Sequence, residues 1–135
     1  PSERPTPMSK LQRILYIEDE PDIQAVASLA LEAIGGFTVR VCSSGAEALR
    51  EGPAYQPDLI LLDVMMPGMD GPSTLRALRE LDTLRAVPVV FMTAKVQPGE
   101  VSHYLSLGAC SVIAKPFDPM TLATQVQDIW SQQPT

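Results

Sequence analysis

Four consecutive apolar residues, Leu59, Ile60, Leu61 and Leu62, run without polar alternation into a single carboxylate, Asp63. Such a run suits a strand covered on both faces, the setting of a central strand in a parallel sheet. A buried helical segment carries the same apolar signature, but this run is too short for an ordinary helix. It is also bounded by Pro57 on one side and by Pro67, Gly68 and Gly71 on the other, all turn and loop residues. Asp63 is therefore expected where a strand emerges into a loop. In open parallel sheets ligands bind in the crevice beyond the carboxyl ends of the strands. An acid at that place is a candidate site residue, although Asp after a strand also serves as a plain turn former.

The rest of the chain repeats this alternation. Arg13 to Glu18 (RILYIE) is a short β-rich run ending in three acids, Glu18, Asp19 and Glu20. From Pro21 onward, Ile23, Val26, Ala27, Ala30 and Ile34 recur at helical spacing, with Gly35 and Gly36 as the stop. Phe37 to Cys42 predicts a second strand. Ser44 with Glu47 three residues on has the form of a capping box, opening a helix that reaches about Gly52. After the Asp63 strand, Gly71 and Pro72 start a helix with Leu75, Leu78 and Leu81 on one face. Pro88 to Thr93 predicts a fourth strand, Pro98 to Leu107 a helix with Gly108 just past its end, and Ser111 to Ala114 a last strand. Asp118, before Pro119, is expected to cap a final helix whose inner face carries Leu122, Val126, Ile129 and Trp130. Strand and helix alternate five times, which predicts an α/β fold with a parallel sheet, helices on both faces and right-handed crossovers.

The 135 residues suit one domain, expected over residues 11–132. Residues 1–10 are read as a disordered arm or an expression remnant, with Met8 the candidate native start. The polar, proline-rich Pro1 to Pro7 has no apolar core of the signal-peptide kind. No apolar run approaches the ~18 residues of a membrane span, so no membrane insertion is expected. Ten basic against sixteen acidic residues, a net charge of −6, argue against direct binding to a nucleic-acid backbone, which needs clustered Lys and Arg. A metal or a cationic ligand is the better complement. Cys42 and Cys110 lack metal-type spacing and are read as free thiols in a reducing cytoplasm.

Glu18 and Asp19 follow the first strand, Asp63 the third, Thr93 the fourth and Lys115 the fifth. In a parallel sheet these ends lie along one edge, so acids, a hydroxyl and an ammonium converge on one crevice. Each has an ordinary reading alone: a solvated acidic turn at a helix start, a strand threonine, a surface lysine. Joint placement is what those readings explain poorly. Crowded carboxylates repel, and an oxygen-only set suits Mg²⁺, which is often held by one or two carboxylates together with phosphate oxygens. Thr93 and Lys115 are then placed to receive the oxygens of a phosphoryl group delivered to Asp63 as nucleophile. His103 has no evident partner and is read as a helix surface or packing residue.

From Arg13 to Trp130 the sequence resembles a response-regulator receiver domain of two-component signalling, of the chemotaxis-regulator kind. The resemblance rests on ILYIEDEP (14–21), LLDVMMPGMDG (61–71), VVFMTA (89–94) and KPF (115–117). It implies the sheet order 2-1-3-4-5, Asp63 as phosphoacceptor, and Glu18, Asp19, Asp63 and the backbone carbonyl of Met65 as Mg²⁺ ligands. Thr93 is then the switch hydroxyl and Lys115 the phosphate-pairing lysine, with a cis peptide before Pro116. Two departures stand out: Glu18 occupies a place where the family more often has Asp, and Val112 one where many members carry an aromatic whose rotation reports phosphorylation. Tyr104 is the nearest candidate substitute, with plain packing as its other reading.

The resulting expectation is a switch rather than an enzyme. Asp63 takes a phosphoryl group from a histidine kinase or phosphotransfer protein, and an unnamed protein partner reads the surface of the fourth helix, fifth strand and fifth helix. An aspartyl-phosphate phosphatase or phosphotransferase would be expected to show a second acid two residues after the nucleophile; Met65 stands there. A docking scaffold that has lost phosphorylation is the third reading, kept open by Val112. No output domain is expected within these residues.

Overall fold

A computed structural model describes residues 10–133. The arm expected over residues 1–10 lies outside them, but for Lys10. Five parallel strands form one sheet: β1 (Arg13–Ile17), β2 (Thr38–Cys42), β3 (Leu59–Asp63), β4 (Val89–Thr93) and β5 (Ser111–Ala114). Their order is β2-β1-β3-β4-β5, as the resemblance implied. The connecting helices are α1 (Pro21–Leu29), which continues as a π-helical turn (Ala30–Ile34), α2 (Gly45–Tyr55), α3 (Gly71–Arg79), α4 (Pro98–Ser106) and α5 (Leu122–Ser131).

Strand periodicity divides the side chains between two cores. Ile14, Tyr16, Leu59, Leu61, Val90, Met92 and Ile113 face α1, its π turn and α5, where Ala27, Leu31, Leu122, Val126 and Trp130 cover them. Leu15, Ile17, Ile60, Leu62, Val89 and Phe91 face Ala48 of α2, Leu75 and Leu78 of α3, and Tyr104 of α4. With both faces covered, β3 and β4 are buried at every residue, which is why they read as unbroken apolar runs. Each fully buried Leu or Ile contributes roughly 1.5–3 kcal/mol, and the three interior strands β1, β3 and β4 supply many of these residues. β2 lies at the edge and exposes Thr38 and Arg40, the latter paired with Glu51 at 2.7 Å.

Three local expectations are corrected. In the first helix Ala27, Ala30 and Leu31 are buried, while Val26 and Ile34 face outward. The π turn adds a residue to the last turn and rotates the face that follows, which turns Ile34 outward where a uniform 3.6-residue period would keep it inside; Val26 lies ahead of that turn, beside the buried Ala27. The second helix does not stop at Gly52. A Cβ there would lie 3.0 Å from Leu84 Cδ1 and 3.4 Å from Leu15 Cδ2, so Gly52 permits close packing, and the helix runs on through Pro53 to Tyr55. Its actual end is Gln56, with φ 55°, whose N–H donates to the Gly52 carbonyl. Asp118 does not cap α5 directly. Its side chain accepts from Met120 N and its carbonyl from Thr121 N and Leu122 N, organising a turn from which the helix then begins.

Candidate functional site

Register brings the polar groups together. Tyr16 pairs with Leu61 across β1 and β3, so Glu18 and Asp63, two residues further on each strand, emerge side by side on the same face. Pairing continues past the strand ends: Glu18 N donates to Cys42 O (3.0 Å), Val64 N to Met92 O (3.1 Å) and Lys115 N to Thr93 O (2.9 Å). The last of these bonds delivers the lysine. Its Nζ donates to Glu18 Oε1 at 3.0 Å and to Asp63 Oδ1 at 3.1 Å. Glu18 is fully buried and Asp63 is 3% exposed, so the pair sits at the bottom of the crevice, with Asp19 half-buried at its lip. One oxygen from each of Glu18, Asp19 and Asp63 lies within 4.8 Å of the other two.

The electrostatics follow from that crowding. Burial pushes the Asp63 carboxyl above the usual carboxylate range, and the neighbouring Glu18 pushes it further, while the hydrogen bond from Lys115 pulls the other way. For Lys115, burial alone would lower the ammonium's pKa. Its hydrogen bonds to Glu18 and Asp63 win, and the pKa is raised, so the lysine is charged. Three carboxylates against one ammonium leave an oxygen-lined cluster short of positive charge, the setting that a hard divalent cation completes. A second acidic group, Cys42 with Glu47 and Glu51, is chemically different. Glu47 N donates to Ser44 Oγ at 3.1 Å, the first half of the expected capping box, but the Glu47 carboxylate accepts from Ser43 N at 2.7 Å rather than from Ser44 N, and Glu51 is paired with Arg40. The Cys42 thiol is pushed up to about 12, chiefly by burial, and the thiol is the wrong form for a metal ligand.

The loop after Asp63 is closed tightly. Gly71 N donates to Val64 O, and a Cβ on Gly71 would come within 2.8 Å of both Asp63 O and Val64 Cα, so only glycine lets α3 start so close to the end of β3. Asp70 caps α3 by accepting from Ser73 N at 2.9 Å, which holds its carboxyl below the usual range. Within this loop the Met65 side chain is 67% exposed, so any part it takes in the site falls to its backbone.

Thr93 arrives at the same edge from the other face of the sheet. It is buried, and its hydroxyl accepts from Lys95 N at 3.0 Å rather than meeting Asp63 or Lys115. Val112 pairs in register with Phe91, and Tyr104 of α4 meets the Phe91 ring edge-on with centroids 5.3 Å apart. Tyr104 thus packs beside the β4–β5 pair that contains Val112. Exposed His103 stands 5.9 Å from the Tyr104 ring, and the Lys115–Pro116 peptide is cis. Two site neighbours escaped the sequence reading. Gln24 donates to Glu18 O and to Ser43 Oγ, and the buried Tyr16 hydroxyl donates to Glu18 Oε1 at 3.5 Å. The signal for Tyr16 was its two-residue spacing from Glu18; for Gln24 there was none beyond its place in the first helical turns.

A family model described as "Response regulator receiver domain" matches residues 14–127. The chain belongs to that family. Receiver domains are signalling switches, and they bind Mg²⁺ in an acidic cleft. The DNA-binding response regulator MtrA of Mycolicibacterium smegmatis is 38% identical over 116 residues, 86% of this chain and 49% of that protein. The transcriptional regulatory protein CseB of Streptomyces avermitilis is 35% identical over 122 residues, 90% of this chain and 50% of that protein. The chain thus spans about half the length of the curated relatives it matches. Among solved structures, the chemotaxis protein CheY4 of Vibrio cholerae superposes with a TM-score of 0.81 at 28% identity, covering 89% of this chain and 99% of that one. The receiver domain of sensor histidine kinase PA1611 from Pseudomonas aeruginosa, solved with a magnesium ion coordinated in its active-site cleft, gives 0.78 at 31% identity, covering 92% and 100%. No helix among the described residues is long and apolar enough to cross a membrane.

Proposed function

We propose that this receiver domain is switched by phosphorylation of Asp63, with a phosphohistidine of a sensor histidine kinase or phosphotransfer protein as donor. The observation that carries the reading is Lys115 Nζ, held between Glu18 and Asp63 at 3.0 and 3.1 Å in a cleft that buries both acids. An Asp63 oxygen attacks phosphorus, the phosphorus–nitrogen bond breaks, and the imidazole leaves with its electron pair and takes up a proton. Lys115, already charged and beside Asp63, pairs with the phosphoryl oxygens that arrive there. Glu18, Asp19, Asp63 and the Met65 carbonyl would hold Mg²⁺; when bound, the ion supplies the positive charge that lets a phosphoryl group approach so many carboxylates. Thr93 lies at the same edge, and exchanging its bond from Lys95 N for one to a phosphoryl oxygen moves the loop that leads into α4.

Output passes to a protein partner through the α4–β5–α5 side, not to DNA through these residues: the chain is acidic, with a net charge of −6. Free Cys42 and Cys110 suit the reducing cytoplasm in which such a donor works. Incubation with acetyl phosphate or a phosphorylated kinase domain and Mg²⁺ tests the assignment. Asp63→Asn is expected to reduce radiolabel incorporation to background, and incorporation equal to that of the unaltered chain would overturn it.

A further inference from the structure

Tyr16 and Glu18 are two residues apart on β1, so both side chains leave the sheet on the face covered by α1 and α5. Tyr16 is wholly buried there, and its ring packs in the core that includes Leu61, Met92 and Leu31. A buried phenol O–H needs an acceptor, because an unpaired donor away from water carries the full cost of its lost hydration. Among the described residues its partner is Glu18 Oε1, at 3.5 Å. That oxygen also accepts from Lys115 Nζ at 3.0 Å, while Oε2 accepts from Glu20 N at 3.2 Å. The Glu18 carboxylate is thus approached by three donors, from beneath in the sheet, from the loop ahead and from β5.

A glutamate has one more rotatable bond than an aspartate, and that freedom must be given up when its carboxylate joins a cation. Fixing the longer arm beforehand removes the cost. Tyr16 is placed to do so: its ring is immobilised by the core, and its hydroxyl points along the same face to the acid two residues on. An aspartate would end one methylene short of this hydroxyl, so the tyrosine and the glutamate work as a pair. Resting on the functional reading above, we propose that Tyr16 is a positioning residue for metal uptake, holding Glu18 where its carboxylate, Asp19 and Asp63 meet one divalent cation.

The test is a double-mutant cycle of the full chain: unaltered, Tyr16→Phe, Glu18→Asp, and both together. Two quantities are read, Mg²⁺ affinity by isothermal titration calorimetry and the unfolding equilibrium in EDTA. Tyr16→Phe is expected to weaken Mg²⁺ binding about fivefold beside Glu18 and less than twofold in the Glu18→Asp background. Stability in EDTA should show coupling of the same sign. Unchanged Mg²⁺ affinity in Tyr16→Phe, an equal loss in both backgrounds, or a loss of stability alone would overturn the proposal and leave Tyr16 a core residue. Failure of the unaltered chain to take up Mg²⁺ would overturn the functional reading and this positioning role together. Retained affinity with no Tyr16–Glu18 coupling would overturn the positioning role only.

Discussion

On the α1–α5 face of the sheet, Glu18, Asp63 and Lys115 are bonded to one another across three strands; on the opposite face, Thr93 bonds to an N–H two residues away and Tyr104 rests against Phe91. The first group is joined by charge-assisted hydrogen bonds in a buried cleft, where removing a partner leaves a charge stranded. The second is joined by one local hydrogen bond and a ring contact, either of which can rearrange at modest cost. The contrast suits a switch: the chemistry is held still on one side, and the side facing α4 is free to answer. Val112 belongs to this second group, since it pairs in register with Phe91 and packs in the core that holds Tyr104.

The largest effect should come from the bonded side. Lys115→Met strands two buried carboxylates and is expected to destabilise the metal-free protein by about 3 kcal/mol, lowering Tm by roughly 10 °C at neutral pH in differential scanning calorimetry. A loss similar to that of a surface lysine would break the contrast. Tyr104→Leu should cost less, about 1–2 kcal/mol, by removing the edge-to-face pair and part of its burial. Phosphate incorporation on Asp63 should survive this change while the beryllofluoride-induced shifts of α4 amides in NMR spectra shrink; unchanged shifts would show that Tyr104 only packs.

The smallest effect has the opposite sign. Because the Asp63 pKa is raised in the folded state, the folded protein binds that proton more tightly than the unfolded chain does, and the associated stability is lost as pH rises through the folded pKa. Asp63→Asn, which mimics the protonated form, should therefore raise Tm slightly in EDTA at neutral pH. The gain should fade as pH falls below the carboxylate range, and a gain that grew on acidification would contradict the crowding of the site.

Much of this was legible in the residues. The runs at 59–63 and 89–93 are apolar because the sheet is covered twice, and that same burial puts Asp63 and Thr93 at strand ends. The acids and Lys115 were recognisable because corresponding strand ends share an edge. What stayed hidden depended on contacts between elements: the π turn that turns Ile34 outward, the close approach of Leu84 and Leu15 at Gly52, and the turn that detaches Asp118 from α5. Tyr16 read as one more strand aromatic: its two-residue spacing from Glu18 puts both side chains on one face, but only the fold brings its hydroxyl to the acid.

Lys115 closes contacts over 97 residues to Glu18 and 52 to Asp63. Such long-range links carry a large loop-closure entropy that the rest of the fold must offset. A chain emerging from the ribosome exposes Asp63 while its lysine is still unmade, and a partly folded one has the acid but not the pocket. The cluster of Glu18, Asp63 and Lys115 is therefore complete only when the last strand has docked.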